Sequence, residues 1–200
     1  MGKRFLLTFV LALTAIGGLV FWLNKKQDFN LFNQNADIKS AFNKPAGLIA
    51  GADEIRKEEG DKQLEAIESG RVKTYSDPEL GFSFDYPDSF NVGSYDEDAG
   101  KVIILQNNNV GFQLYITPFD EADTVITPER LKQDIPDLSI EEPIQIAIDK
   151  AIGLVFLSDS ESLGKTREIW WVHQSHLYQI TTYTEFDNAM VEILKSWVFN

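Results

Sequence analysis

Apolar and polar positions alternate most clearly at Tyr75-Ser-Asp-Pro-Glu-Leu-Gly-Phe-Ser-Phe-Asp-Tyr-Pro87. Asp77-Pro78 and Gly81 are turn signals. Phe82, Phe84 and Tyr86 then alternate with Ser83 and Asp85 until Pro87 stops the run. A period of two puts the three rings on one face of a strand, and that face must be buried. Asp88 to Gly100 follows as an acidic loop. Lys101-Val-Ile-Ile-Leu105 is apolar on both faces, as a central strand is. Asn107-Asn-Asn109 forms a turn, and Gly111 to Thr117 alternates again with Phe112, Leu114 and Ile116, which predicts a hairpin.

Farther on, Thr127 is placed as an N-cap with Pro128 at the first helical position and Glu129 on the positive end of the dipole; Pro136 ends that helix. Pro143 to Asp149 alternates, and Ile152 to Leu157 is another apolar run. Gly164 separates it from two long β signals, Thr166 to Gln174 and His176 to Thr184, which pair about Ser175. Asp187 is expected to cap an amphipathic helix carrying Met190, Ile193, Leu194, Trp197 and Val198. The fold class is α+β: a twisted antiparallel sheet of six or seven strands flanked by helices.

Upstream the pattern changes. Lys3 and Arg4 precede an apolar run from Phe5 to Leu23. At 1.5 Å per residue it reaches roughly 28 Å, enough for a bilayer core of about 30 Å. A cleaved signal peptide is the competing reading, with Ala15-Ile-Gly17 as a small-residue site. The apolar run continues past it to Trp22, where an interfacial aromatic belongs. The organisation expected is a cytoplasmic tail at 1–4, a transmembrane signal anchor at 5–23, a linker at 24–71 and a folded domain at 72–200. Lys25 and Lys26 balance Lys3 and Arg4, but the short charged tail stays inside more readily, leaving the bulk of the chain extracytoplasmic at the cell membrane. Within the linker, residues 52 to 69 hold only Ile55, Leu64 and Ile67 as large apolar residues. They predict a charged helix interrupted near Gly60, serving as a stalk, with a partner-binding helix as the alternative reading.

Charge and composition narrow the functional classes. The net charge of −13 argues against nucleic acid as a partner, because phosphates repel such a surface. Absence of cysteine removes disulfides, thiolate catalysis and thiolate metal sites. No nucleophile elbow, phosphate loop or dinucleotide fingerprint occurs, so no catalytic residue and no cofactor is assigned. Two weak metal candidates stand out. His173 and His176 flank the last hairpin's turn, where Glu168 or Glu185 would have to supply a third donor. Asp96 and Asp98 lie in the acidic stretch, near Asp85 and Asp88, without the spacing of a calcium loop. Trp170 and Trp171 point to opposite faces of one strand, and an exposed indole there would be the centre of a partner surface.

The pattern Tyr-x-Asp-Pro-x-x-Gly-Phe-Ser-Phe-x-Tyr-Pro at 75–87 resembles the opening of PsbP-like domains, which include the Mog-one-like proteins, and especially their short membrane-anchored bacterial versions. Leu177-Tyr-Gln-Ile before a helix ending Ile193-Leu-Lys-Ser-Trp197-Val-Phe199 is similar to their closing hairpin and helix. The resemblance covers residues 72–200. It implies an α/β/α sandwich acting as a non-catalytic accessory subunit that binds an envelope protein. The anchor departs from the plant proteins, and no photosynthetic role is carried over. The alternative class is a small-molecule or metal-binding envelope protein, holding calcium or zinc at the acidic loop or the histidine hairpin.

Overall fold

The computed structural model describes residues 52–107, 110–160 and 163–200. In chain order these form α1 (Ala52–Glu68), β1 (Val72–Asp77), β2 (Phe82–Pro87), β3 (Asn91–Glu97), β4 (Gly100–Gln106), β5 (Gly111–Pro118) and α2 (Pro128–Asp134). Then come β6 (Glu141–Ile148), β7 (Ala151–Ser160), β8 (Gly164–His173), β9 (His176–Tyr183), a 3-10 turn (Thr184–Phe186), α3 (Asp187–Lys195) and β10 (Val198–Phe199). The fold is α+β and every strand pairing is antiparallel.

The strands make two sheets where one was expected. Seven form the main sheet in the order β3-β4-β5-β9-β8-β7-β6, and β1-β2-β10 form a second. The aromatic strand β2 thus belongs to the small sheet. Its alternation is as predicted: Phe82, Phe84 and Tyr86 are buried and Ser83 and Asp85 less so. Those rings face the main sheet, with Phe82 edge-on to Tyr178 at 5.7 Å and Phe84 6.0 Å from Phe112. The region expected as an acidic loop after Pro87 holds the edge strand β3. Its side chains are mostly polar and exposed, so it lacks the alternation that marks a half-buried strand.

Turn chemistry fixes the hairpins. The Asp77 carboxylate accepts from the amides of Glu79 and Leu80, both at 3.1 Å, and closes the β1–β2 turn. Gln174 and Ser175 both have positive φ, the two-residue turn whose twist matches a right-twisted hairpin. This aligns His173 with His176 and Trp171 with Tyr178 across β8 and β9.

The charged helix α1 is part of the domain and not a stalk. Ala66 and Gln63 are buried, and Leu64 and Ile67 pack on the main core. Gly60 lies against the 3-10 turn so closely that a Cβ would come within 2.2 Å of the Glu185 carbonyl oxygen. The helix is continuous through this glycine, which serves as a point of close approach and not as an interruption. A helix docked through glycine, alanine and glutamine needs little apolar stripe, which is why its sequence looked solvated.

At the other end, α3 is shorter than its sequence stripe. Asp187 is its first residue and not its cap, and the Asp187 carboxylate instead receives Arg167 Nε at 3.1 Å and Nη2 at 2.7 Å. Ser196 closes the helix by donating to the Ile193 carbonyl at 2.7 Å while accepting from the Asp85 amide at 2.9 Å. The chain then extends as β10, so Val198 points outward and Phe199 inward. Helix α2 forms as the sequence indicates, with the Thr127 hydroxyl accepting from the Arg130 amide at 3.3 Å.

Among the described residues no helix is long and apolar enough to cross a membrane. The expected span at 5–23 and the linker at 24–51 lie outside the described residues.

Candidate functional site

Trp170 and Trp171 do not form the exposed surface expected of them. Both are buried, at 1% and 0% exposure. Opposite faces of β8 are both covered, so neither indole is left over. Trp171 stacks on Tyr178 at 5.2 Å and meets Trp197 edge-on at 5.1 Å, inside the core between the sheets. Trp170 packs on Phe156 at 5.7 Å in a second cluster with Leu131 and Ile135 from the α2 region.

The histidine pair is adjacent but not assembled. His176 Nδ1 lies 2.9 Å from the Gln174 carbonyl. The His173 ring stacks on Phe199 at 3.7 Å, and its pKa is lowered by burial and by Lys150, against a smaller opposing effect of Asp149. Glu168 sits five residues up the strand and therefore on the opposite face, and Glu185 pairs with Arg56 at 3.3 Å. Neither supplies a third donor to the histidines. Asp96 and Asp98 are exposed around the β3–β4 turn. Asp85 instead takes the Thr74 hydroxyl at 2.6 Å on the small sheet. Among the described residues no group of three His, Cys, Asp or Glu side chains gathers to hold a metal.

The group that sequence reasoning undervalued is Glu168. Its carboxylate accepts from the Thr166 hydroxyl at 2.8 Å, the Thr181 hydroxyl at 2.8 Å and Trp170 Nε1 at 3.3 Å. Burial pushes its pKa up to about 7, with the three donors partly opposing the rise. Strand register extends the polar row across the sheet. Glu168 lies opposite Thr181, which lies opposite Gln113; one step along, Trp170, Gln179 and Tyr115 form the parallel row. Among the described residues the Oε1 atoms of Gln113 and Gln179 and the Tyr115 hydroxyl are buried without a hydrogen-bond partner. The sequence signal was the i, i+2 spacing of Thr166, Glu168 and Trp170, which places three polar-tipped side chains on one strand face.

A separate cleft of about 360 Å³ opens between α1 and the segment after β2, lined by Lys62, Gln63, Arg71, Asp88 and Ser89 among others. Gln63 Oε1 accepts from the Ser89 hydroxyl at 2.8 Å within it. Side chains of both charges line it, Lys62 and Arg71 against Glu65 and Asp88, with Ala66 among them.

Large apolar side chains reach solvent elsewhere. Ile144 is 62% exposed on β6 and Ile152 is 53% exposed on β7. In the main sheet β6 is the terminal strand and pairs only with β7. Its first residues are irregular, with Glu142 at φ 50° followed by Pro143, a device that blocks pairing there. From Ile144 onward the edge is regular.

Comparison with known protein families gives no match. Comparison with curated proteins gives none either. Among solved structures the chain is similar to the solution structure of cyanobacterial PsbP (CyanoP) from Synechocystis sp. PCC 6803. It is 11% identical, with a TM-score of 0.48, over 65% of this chain and 93% of that one.

Proposed function

We propose that this chain is a membrane-anchored, extracytoplasmic PsbP-like domain that works as a non-catalytic module binding an envelope protein. The family reading is supported by the 75–87 and 177–199 segments, which build the packed centre of the domain. The anchor and orientation are supported by the apolar run at 5–23 and its charged flanks.

The observation that carries the binding role is the β6–β7 edge. A sheet edge with open backbone groups and isoleucines exposed on both faces suits the addition of a partner strand, where main-chain hydrogen bonds give affinity and alternate side chains give selectivity. It takes the place that the sequence assigned to the tryptophans.

In-cell crosslinking of the full chain, with affinity capture and mass spectrometry, tests this reading. Ile144→Asp and Ile152→Asp change exposed positions, so stability should stay within about 0.5 kcal/mol. A reproducible envelope partner lost in either variant is the expected result. A partner retained by both variants, or no partner above background, overturns the edge as the binding site.

A further inference from the structure

The β6 edge of the main sheet has a short and defined hydrogen-bonding register. Asp149 and Lys150 form the turn between Ile148 and Ala151, which face each other across β6 and β7. The pair that flanks a two-residue turn exchanges both backbone hydrogen bonds, and hydrogen-bonded and open pairs then alternate along the ladder. Ile148, Ile146 and Ile144 therefore bond to β7, and the N–H and C=O groups of Ala147 and Gln145 point away from it. Among the described residues no strand lies on that side. The next outward position is Pro143, which has no N–H to give. The usable edge is Gln145 and Ala147.

We propose that the occupant of this edge is the same edge of a second copy of the chain, paired antiparallel about a two-fold axis at Ile146. The proposal rests on the reading of the edge as a strand-adding surface and names its partner.

The edge is its own complement. In an antiparallel pair centred on Ile146, Gln145 meets Ala147 of the second copy and Ala147 meets its Gln145, so every outward N–H and C=O of these residues finds a partner. Pro143 lies beyond this pairing, opposite the turn, where its missing N–H costs nothing. Centring on Gln145 instead would set Pro143 against Ala147 and leave the alanine carbonyl without a donor.

Side chains agree with that register. Ile144, 62% exposed, comes to lie opposite Ile148 of the second copy and beside its Ile146, which extends the inter-sheet cluster that holds Ile148. On the other face the small Ala147 leaves its cross-strand neighbour Ile152 uncovered, and Gln145 of the second copy reaches across Ala147 toward it. Charge agrees as well. Glu142 and Lys150 are both exposed and stand equal steps from Ile146, so symmetry sets each against the other residue of the second copy. Lys150 also donates to the Phe199 carbonyl, and its ammonium keeps further donors. The net charge of −13 on each copy opposes association. That repulsion is screened beyond about 8 Å at physiological salt, whereas the Glu142–Lys150 pairs are adjacent. Anchoring of both copies in one membrane, part of the same reading, raises the effective concentration that so small a contact needs.

The absence of cysteine makes the test direct. Ile146→Cys in the full chain, in detergent micelles under mild oxidation, puts two thiols on an open antiparallel pair whose Cα atoms are about 4.5 Å apart, within disulfide reach. A disulfide-linked dimer is expected. Ile152→Cys, one strand farther from the axis, should stay monomeric. Gln145→Pro added to Ile146→Cys removes an outward N–H that β7 does not use. An edge strand tolerates that change, so circular dichroism should be unchanged while the dimer is lost. Glu142→Lys should weaken the dimer roughly fivefold, and Lys150→Glu in the same chain should restore most of it. Ile146→Cys chains that stay reduced, equal linkage at both positions, or a dimer that survives Gln145→Pro overturns the proposal. If capture from cells then still returns a protein of another sequence that Ile144→Asp loses, the edge reading stands and only this partner is excluded. With neither dimer nor captured protein, both fall.

Discussion

Trp170 and Trp171 are neighbours in sequence, and they belong to two different kinds of interior. Trp171 faces the space between the sheets, where Tyr178, Phe82, Phe84, Trp197 and Phe199 stack and cross one another. Trp170 faces the other way, beside a buried carboxylate, two threonines and two glutamines. The first interior is held by area and ring geometry. The second includes groups that water would otherwise solvate; three donors hold the Glu168 carboxylate, while Gln113 Oε1, Gln179 Oε1 and the Tyr115 hydroxyl have no partner among the described residues. The same strand therefore carries a side dominated by ring packing and a side that buries a carboxylate.

The sharpest way to break the inter-sheet side is Trp197→Ala. Trp197 stacks on Phe82 at 4.9 Å and Phe84 at 4.7 Å while standing edge-on to Trp171. It joins the small sheet to the main one. Its removal should cost about 3–5 kcal/mol, the usual range for a buried tryptophan, and urea denaturation should show the midpoint falling without dependence on pH. A loss under about 1 kcal/mol would mean that the two sheets are held together by other contacts.

Glu168→Gln probes the polar side. The folded-state pKa, about 7, lies above the ordinary 4.5, so the folded chain holds this proton more tightly than the unfolded one. The contribution is therefore complete below about pH 4.5 and is lost as pH rises through 7. The loss amounts to about 3 kcal/mol. The glutamine variant keeps the shape and cannot ionise. Between pH 5 and pH 8 the wild-type midpoint should fall relative to the variant, and parallel curves would remove Glu168 as the origin of the slope.

The contrast also explains what the sequence could tell. Period-two patterns marked β2, β5, β8 and β9, because each has one strongly apolar face, and Thr127-Pro128 marked the start of α2. The edge strand β3 was hidden because an exposed strand has little apolar alternation to show. Helix α1 was legible as a charged helix, but its docking was hidden because Gly60, Gln63 and Ala66 contribute to it, residues whose burial depends on close backbone approach and not on hydrophobicity. Sheet membership was not legible at all: β2 alternates in the same way whether it joins the main sheet or faces it. For the candidate site, spacing correctly placed the two tryptophans on opposite faces. It could not show that α2 on one side and the small sheet on the other would cover both. The row Gln113–Thr181–Glu168 comes from three strands whose register is set by β5–β9 and β8–β9 pairing, and no local pattern contains it.

The smallest expected effect tests how far the cover over Trp170 acts by itself. Thr127 caps α2 through the Arg130 amide, and Pro128 already sets the first helical φ without needing a donor. Thr127→Ala removes one side-chain acceptor from a seven-residue helix, so the cost should be about 1 kcal/mol. That cost should be local. Leu131 and Ile135 hold α2 down on Phe156 and Trp170, so amide exchange at Arg130 and Leu131 should quicken while that of β8 and β9 stays unchanged. If β8 amides quicken equally, α2 and the strand beneath it open as one unit, and the Glu168 row loses its shield whenever the helix frays. The pH-dependent slope would then be shallower in Thr127→Ala than in the wild type, because Glu168 would reach water in both protonation states.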